Sequence, residues 1–126
     1  MSAQLPEDVH RFVVEHINSV EQLETLLLLR GDTEKLWSVD EVSQALYTPA
    51  AAAQMRLSDL QTRGLFTQSD DQRWRYDAAN PEFDRLVGLL AQLYRDRRVT
   101  IITLIYSKPH PQVQAFADAF KLRKDT

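Results

Sequence analysis

The chain has 126 residues, 44% hydrophobic and 26% charged, a balance that suits one packed domain and argues against wholesale disorder. It has no cysteine, which excludes disulfides, thiolate metal sites and a cysteine nucleophile and fits the reducing cytoplasm. The net charge of −3 is unevenly placed: residues 1–47 hold nine acidic and three basic residues (−6), whereas 48–126 hold twelve basic and nine acidic (+3). Such asymmetry can orient a molecule on nucleic acid.

The opening MSAQLPEDVH has no basic stretch followed by an apolar one, so no signal peptide is expected. The longest aliphatic run, Leu26 to Leu29, is far short of the roughly 20 residues that span a bilayer. Residues 1–5 read as a frayed end. Pro6-Glu7-Asp8 then opens a short helix with acids in its first turn, and Val9, Phe12, Val13 and Ile17 form its apolar face. His10 and His16 lie six residues apart, not at the i, i+4 spacing of a metal pair, so no metal site is expected.

Ser19 with Gln22 reads as a capping box starting a leucine-rich central helix, which Arg30-Gly31-Asp32 ends. Trp37 reads as an anchor after the loop. Ser38 with Glu41 makes a second capping box, and Val39, Val42, Ala45 and Leu46 give the next helix its apolar face. Tyr47-Thr48-Pro49 turns into a second helix. Thr48 is expected to cap it, Pro49 to open it, four alanines to support it, and Leu57 and Leu60 to face inward. Gly64 sits where a left-handed C-terminal residue is needed. Leu65 to Gln68, a polar turn at Asp70-Asp71-Gln72, and Arg73 to Tyr76 follow as strand, turn and strand.

Asn80-Pro81-Glu82 is a strong helix start, with Phe83, Leu86, Val87, Leu90, Leu93 and Tyr94 at helical spacing. Arg95 to Arg98 forms a charged break. Val99 to Tyr106 is rich in β-branched residues, which favours a strand by propensity. Thr100, Thr103 and Ser107, however, fall at i, i+3, i+7, so the segment is read as helix. Lys108-Pro109-His110-Pro111 breaks the chain, and a last helix is expected through Val113, Phe116, Ala117 and Phe120, with Lys121, Arg123 and Lys124 near its end.

The segment from Ser19 to Tyr76 resembles a bacterial winged helix-turn-helix domain of the MarR, PadR and ArsR-like transcriptional regulators. The likeness rests on the capped helix Ser38–Leu46, the turn Tyr47-Thr48-Pro49, the ending Leu57-x-x-Leu60-x-x-x-Gly64-Leu65-Phe66 and the strand Arg73-Trp74-Arg75-Tyr76. It implies a mainly α (α+β) fold: a winged helix-turn-helix with a two-stranded wing and additional C-terminal helices. Residues 1–79 are expected to form the winged-helix part with its N-terminal helix. Residues 80–126 are expected to form a helical extension that packs on it or makes a homodimer.

The resemblance implies double-stranded DNA as partner, with the Thr48–Gly64 helix in the major groove. Gln54, Arg56 and Ser58 are the candidates near bases, Arg63, Arg73 and Arg75 those on phosphates, and Thr48 is a further nucleic-acid-binding candidate. Winged helices also serve as protein-interaction modules, and Ala50, Ala51 and Met55 are the candidates for docking a protein partner. The count from 48 to 77 is four basic against four acidic, neutral for a surface that would meet a polyanion.

No catalytic constellation is visible. The only glycines are Gly31, Gly64 and Gly88, which make no phosphate loop, and no nucleophile elbow is present. No enzyme activity and no cofactor are expected.

Overall fold

The computed structural model describes residues 5–107. The break at Lys108–Pro111 and the last expected helix lie outside the described residues. Six helices and two strands follow one another: α1 (Glu7–His16), α2 (Val20–Arg30), α3 (Val39–Leu46), α4 (Ala50–Thr62), β1 (Phe66–Gln68), β2 (Trp74–Tyr76), α5 (Pro81–Asp96) and α6 (Arg98–Ser107). The architecture is mainly α with a two-stranded antiparallel sheet, as the sequence pattern implies.

The helices start where polar caps allow. Ser38 accepts from the backbone of Glu41 and Glu41 accepts from the backbone of Ser38, the complete reciprocal box. That backbone donor holds the Glu41 carboxyl below the usual carboxylate range. Asn80 caps α5 by accepting from the Phe83 amide, with proline at the first position. At α2 only half of the expected box forms. Ser19 accepts from the Gln22 amide, but the Gln22 carbonyl turns to the backbone of Asn18.

Thr48 does not cap α4, contrary to expectation. Its amide donates to the Ser43 carbonyl and its carbonyl accepts from the Ser43 hydroxyl, so it completes the end of α3. Pro49 stands at the cap position without a side-chain bond, and the Thr48 hydroxyl instead accepts from Arg56 at 3.0 Å. The residue that makes the turn is Tyr47, at φ 52°. A left-handed tyrosine is uncommon, because its Cβ crowds the backbone there.

The end of α4 is closed by Gly64 at φ 86°. The Leu65 amide reaches the Leu60 carbonyl and the Gly64 amide the Gln61 carbonyl, each at 3.0 Å, which is the Schellman arrangement. Leu60 and Leu65 are both fully buried, supplying the apolar contact that accompanies it. The chain then runs directly into β1. Phe66 pairs with Tyr76, Thr67 with Arg75 and Gln68 with Trp74. A bridge between Trp37 and Trp74, with backbone bonds of 2.7 and 2.8 Å, adds a third short rung. Trp37 is thus the anchor expected, and it works through its backbone as well as its ring.

One core runs from Val9 to Ile105. α2 lies across it, packing on α3, α4 and β2, while α1 packs on α5 and α6. Phe12 meets Phe83 edge-on with ring centroids 5.7 Å apart, and Arg85 donates to Asp8 at 2.6 Å, so α5 is held to α1 twice. The Tyr76 hydroxyl donates to Asp84 at 2.8 Å, and burial with that carboxylate raises its pKa. α6 is helical despite its β-branched residues. Ile101 and Ile105 are buried one turn apart, and packing on neighbouring helices outweighs local propensity. The charged break falls at Arg97, and Arg98 folds over the Tyr94 ring at 4.6 Å.

A Cβ at position 64 would stand 3.2 Å from Ala79 Cβ and 3.6 Å from the Phe83 ring. Gly64→Ala is therefore expected to cost about 1–2 kcal/mol from the left-handed backbone alone. Urea unfolding measures it; an unchanged midpoint would contradict the closure described.

Candidate nucleic-acid interface

The turn at Tyr47 sets α3 and α4 as a helix-turn-helix, and the Schellman closure carries α4 straight into the hairpin. The result places α4, the turn and the β1–β2 hairpin in one continuous stretch. α4 turns Ala53, Leu57 and Leu60 into the core. Its exposed residues are Ala50, Ala51, Gln54, Met55, Ser58, Gln61 and Thr62, none of them charged. Ala51, Gln54, Met55, Ser58 and Thr62 recur at three- and four-residue intervals and form one outward stripe. Met55 is 72% exposed and Tyr47 97% exposed.

Along that stripe Gln54 donates its amide to the Ser58 hydroxyl at 3.1 Å. Two of the expected base-facing residues thus touch each other. Arg56 is half-buried and bonds Thr48, so these two candidates also form a pair, beside the stripe rather than on it.

The three expected phosphate arginines are not equivalent. Arg63 is engaged inside the molecule: its Nε donates to Asp59 at 2.9 Å and its guanidinium donates to the Glu15 carbonyl at 3.0 Å. Asp59 also accepts from Gln22. α1, α2 and α4 are joined at that point. Arg73 faces Glu41 at 3.4 Å and Asp71 at 3.5 Å, which ties the hairpin to the first turn of α3. Arg75 is the loosest, 3.9 Å from Asp77. The Arg73 and Arg75 side chains are nearly half exposed, and exposed pairs of this kind exchange partners at little cost.

Two features escaped the sequence. The exposure of Tyr47 follows from a left-handed turn where a glycine is common, and nothing local marks it. The Asp59–Arg63 pair is legible as i, i+4, but its bonds to Gln22 and Glu15 are not.

No family model matches the chain, and no curated protein matches it. Solved structures do. MepR, a transcription regulator of the Staphylococcus aureus multidrug efflux pump MepA, aligns with TM-score 0.53 at 14% identity, covering 94% of this chain and 87% of that one. The fold is the winged helix-turn-helix. A MepR variant bound to an oligodeoxyribonucleotide aligns with TM-score 0.51 at 14% identity, over 94% of this chain and 87% of that one. A homodimeric winged helix-turn-helix DNA-binding domain of Mb0332 from Mycobacterium bovis, a possible ArsR-family regulator, aligns with TM-score 0.51 at 19% identity, over 77% and 93%. These neighbours are thus a transcription regulator and a possible ArsR-family regulator, and at these identities the likeness is one of fold.

Among the described residues no helix is long and apolar enough to cross a membrane. No group of three or more His, Asp or Glu side chains there could hold a metal ion.

The internal role of Arg63 gives a direct expectation. Arg63→Gln should lower the melting temperature, because it leaves Asp59 and the Glu15 carbonyl short of a donor. An unchanged melting temperature would mean that the three-helix junction contributes nothing.

Proposed function

We propose that this chain is a winged-helix transcriptional regulator that binds double-stranded DNA as a homodimer, with α4 in the major groove and the hairpin on the backbone. The observation that carries this reading is the stripe on α4. It is exposed, uncharged and hydrogen-bonding, and the hairpin that follows α4 in the chain carries two half-exposed arginines. Groove-facing helices read bases through such side chains, while cations on the flanks meet phosphates. Gln54 and Ser58 then face the bases, Thr48 and Arg56 flank them, and Arg73 and Arg75 meet the backbone. Arg63 acts indirectly, by fixing α4. A regulator of this kind works in the cytoplasm. Residues 1–79 serve as the DNA-reading part and 80–126 as the dimerising extension.

Charge makes the affinity modest and salt-sensitive. The protein should be retained on generic duplex at low salt and released as salt rises. Replacing Arg73 and Arg75 by alanine should reduce the slope of log affinity against log salt by about 0.9 for each phosphate that is no longer neutralised. An unaltered slope would remove the hairpin from the interface. No retention of the wild type at low salt would overturn DNA binding. That outcome would favour the second reading, a protein-docking face on Ala50, Ala51 and Met55, which the exposure of Tyr47 and Met55 supports.

Homodimerisation is supported by α6. Val99 is 76% and Tyr106 71% exposed on it, although the helix is apolar on most sides. Because α5 and α6 also belong to the core, surface substitution is the cleaner test than truncation. Tyr106→Glu should give a folded monomer by light scattering. A folded dimer would exclude this face.

A further inference from the structure

If α4 enters the major groove, its surface also limits which base pairs it can read, and this inference rests on the DNA-binding reading above. We propose that α4 is built to read adenine·thymine pairs and to leave guanine unread, with Gln54 as the adenine reader and Met55 and Ala51 as the thymine-methyl contacts.

The argument begins with what the stripe lacks. Guanine presents two acceptors in the major groove, and arginine or lysine is its usual bidentate reader. Neither cation of the α4 region lies on the stripe. Arg56 is half-buried and bonded to Thr48, and Arg63 is bonded to Asp59 and Glu15. The exposed residues of α4 carry no charge, so none of them offers a guanidinium or ammonium to guanine.

What the stripe has fits adenine. A glutamine amide carries two N–H donors and one carbonyl acceptor. One donor of Gln54 is used on Ser58 at 3.1 Å. One donor and the carbonyl remain, which complement the N7 acceptor and N6 donor of adenine. Against guanine the same carbonyl would face O6, acceptor to acceptor. Ser58 is therefore a positioning residue: it holds the amide in one orientation before the base arrives.

Met55 and Ala51 flank Gln54 on the same stripe, both exposed, and neither has a polar side-chain group to satisfy. The thymine methyl is the one apolar group in the major groove, so it is the natural contact for them. Burying a methyl is worth about a fourfold gain in affinity.

The test uses three duplex polymers, poly(dA-dT), poly(dA-dU) and poly(dG-dC), titrated with the full chain at one low salt concentration and read by fluorescence anisotropy. Uracil differs from thymine only by the missing methyl. Binding should weaken from A·T to A·U by about fourfold for each methyl contacted. It should weaken to G·C by a further factor of roughly five to a hundred. Met55→Ala should reduce binding to poly(dA-dT) and leave poly(dA-dU) unchanged. Ser58→Ala should narrow the gap between poly(dA-dU) and poly(dG-dC) without changing the A·T to A·U ratio. Equal binding to all three polymers would overturn this inference while leaving DNA binding intact. Binding to none would overturn DNA binding itself, and this inference with it. A thymine preference that survives Met55→Ala would remove Met55 from the contact.

Discussion

The constraint on which the rest depends is the left-handed closure at Gly64. It ends α4, returns two orphan carbonyls to amides of the next residues, and starts β1 without a loop. It also sets the backbone against Ala79 and Phe83, so the end of α4, the return of the hairpin and the start of α5 meet at one point. The Gly64 carbonyl accepts from the Ala79 amide at 2.7 Å and the Leu65 carbonyl from the Asp77 amide at 2.9 Å, which extends the hairpin pairing to its base. Any side chain at 64 would disturb all three elements together. The way α4 runs on into the hairpin is set there.

A second constraint acts at the other side of α4. Asp59 accepts from Gln22 and Arg63, and Arg63 reaches the Glu15 carbonyl, so α4 is tied to both α1 and α2. α1 in turn packs on α5 and α6. α4 is therefore joined through α1 to α5 and α6. The same bonds have an electrostatic consequence. The arginine at the end of α4 is occupied by partners within the fold, and the residues of the outward stripe carry no charge of their own.

Much of the fold was legible in particular residues. Ser38 with Glu41, Asn80 with Pro81, and Gly64 are local signals, and each does in the structure what its chemistry implies. The period of Thr100, Thr103 and Ser107 identified α6 as a helix against its β-branched composition. Thr48 misled, because a residue suited to capping the next helix was already used to close the previous one. Met55, Gln54 and Ser58 were legible as a helix face, but the bond between Gln54 and Ser58 was not.

The sequence by itself determined where helices begin and end, which of their faces are apolar, and the order helix, turn, helix, glycine, hairpin that defines the architecture. These follow from interactions spanning a few residues, which spacing and residue type express directly. Only the tertiary structure decided which arginines remain available and which are engaged. Arg63 is bonded to a carbonyl 48 residues away and Arg73 to a carboxylate 32 residues away, distances at which no local pattern operates. It also decided that Tyr47 adopts the left-handed turn, because the packing of α3 on α4 imposes a conformation its own side chain disfavours.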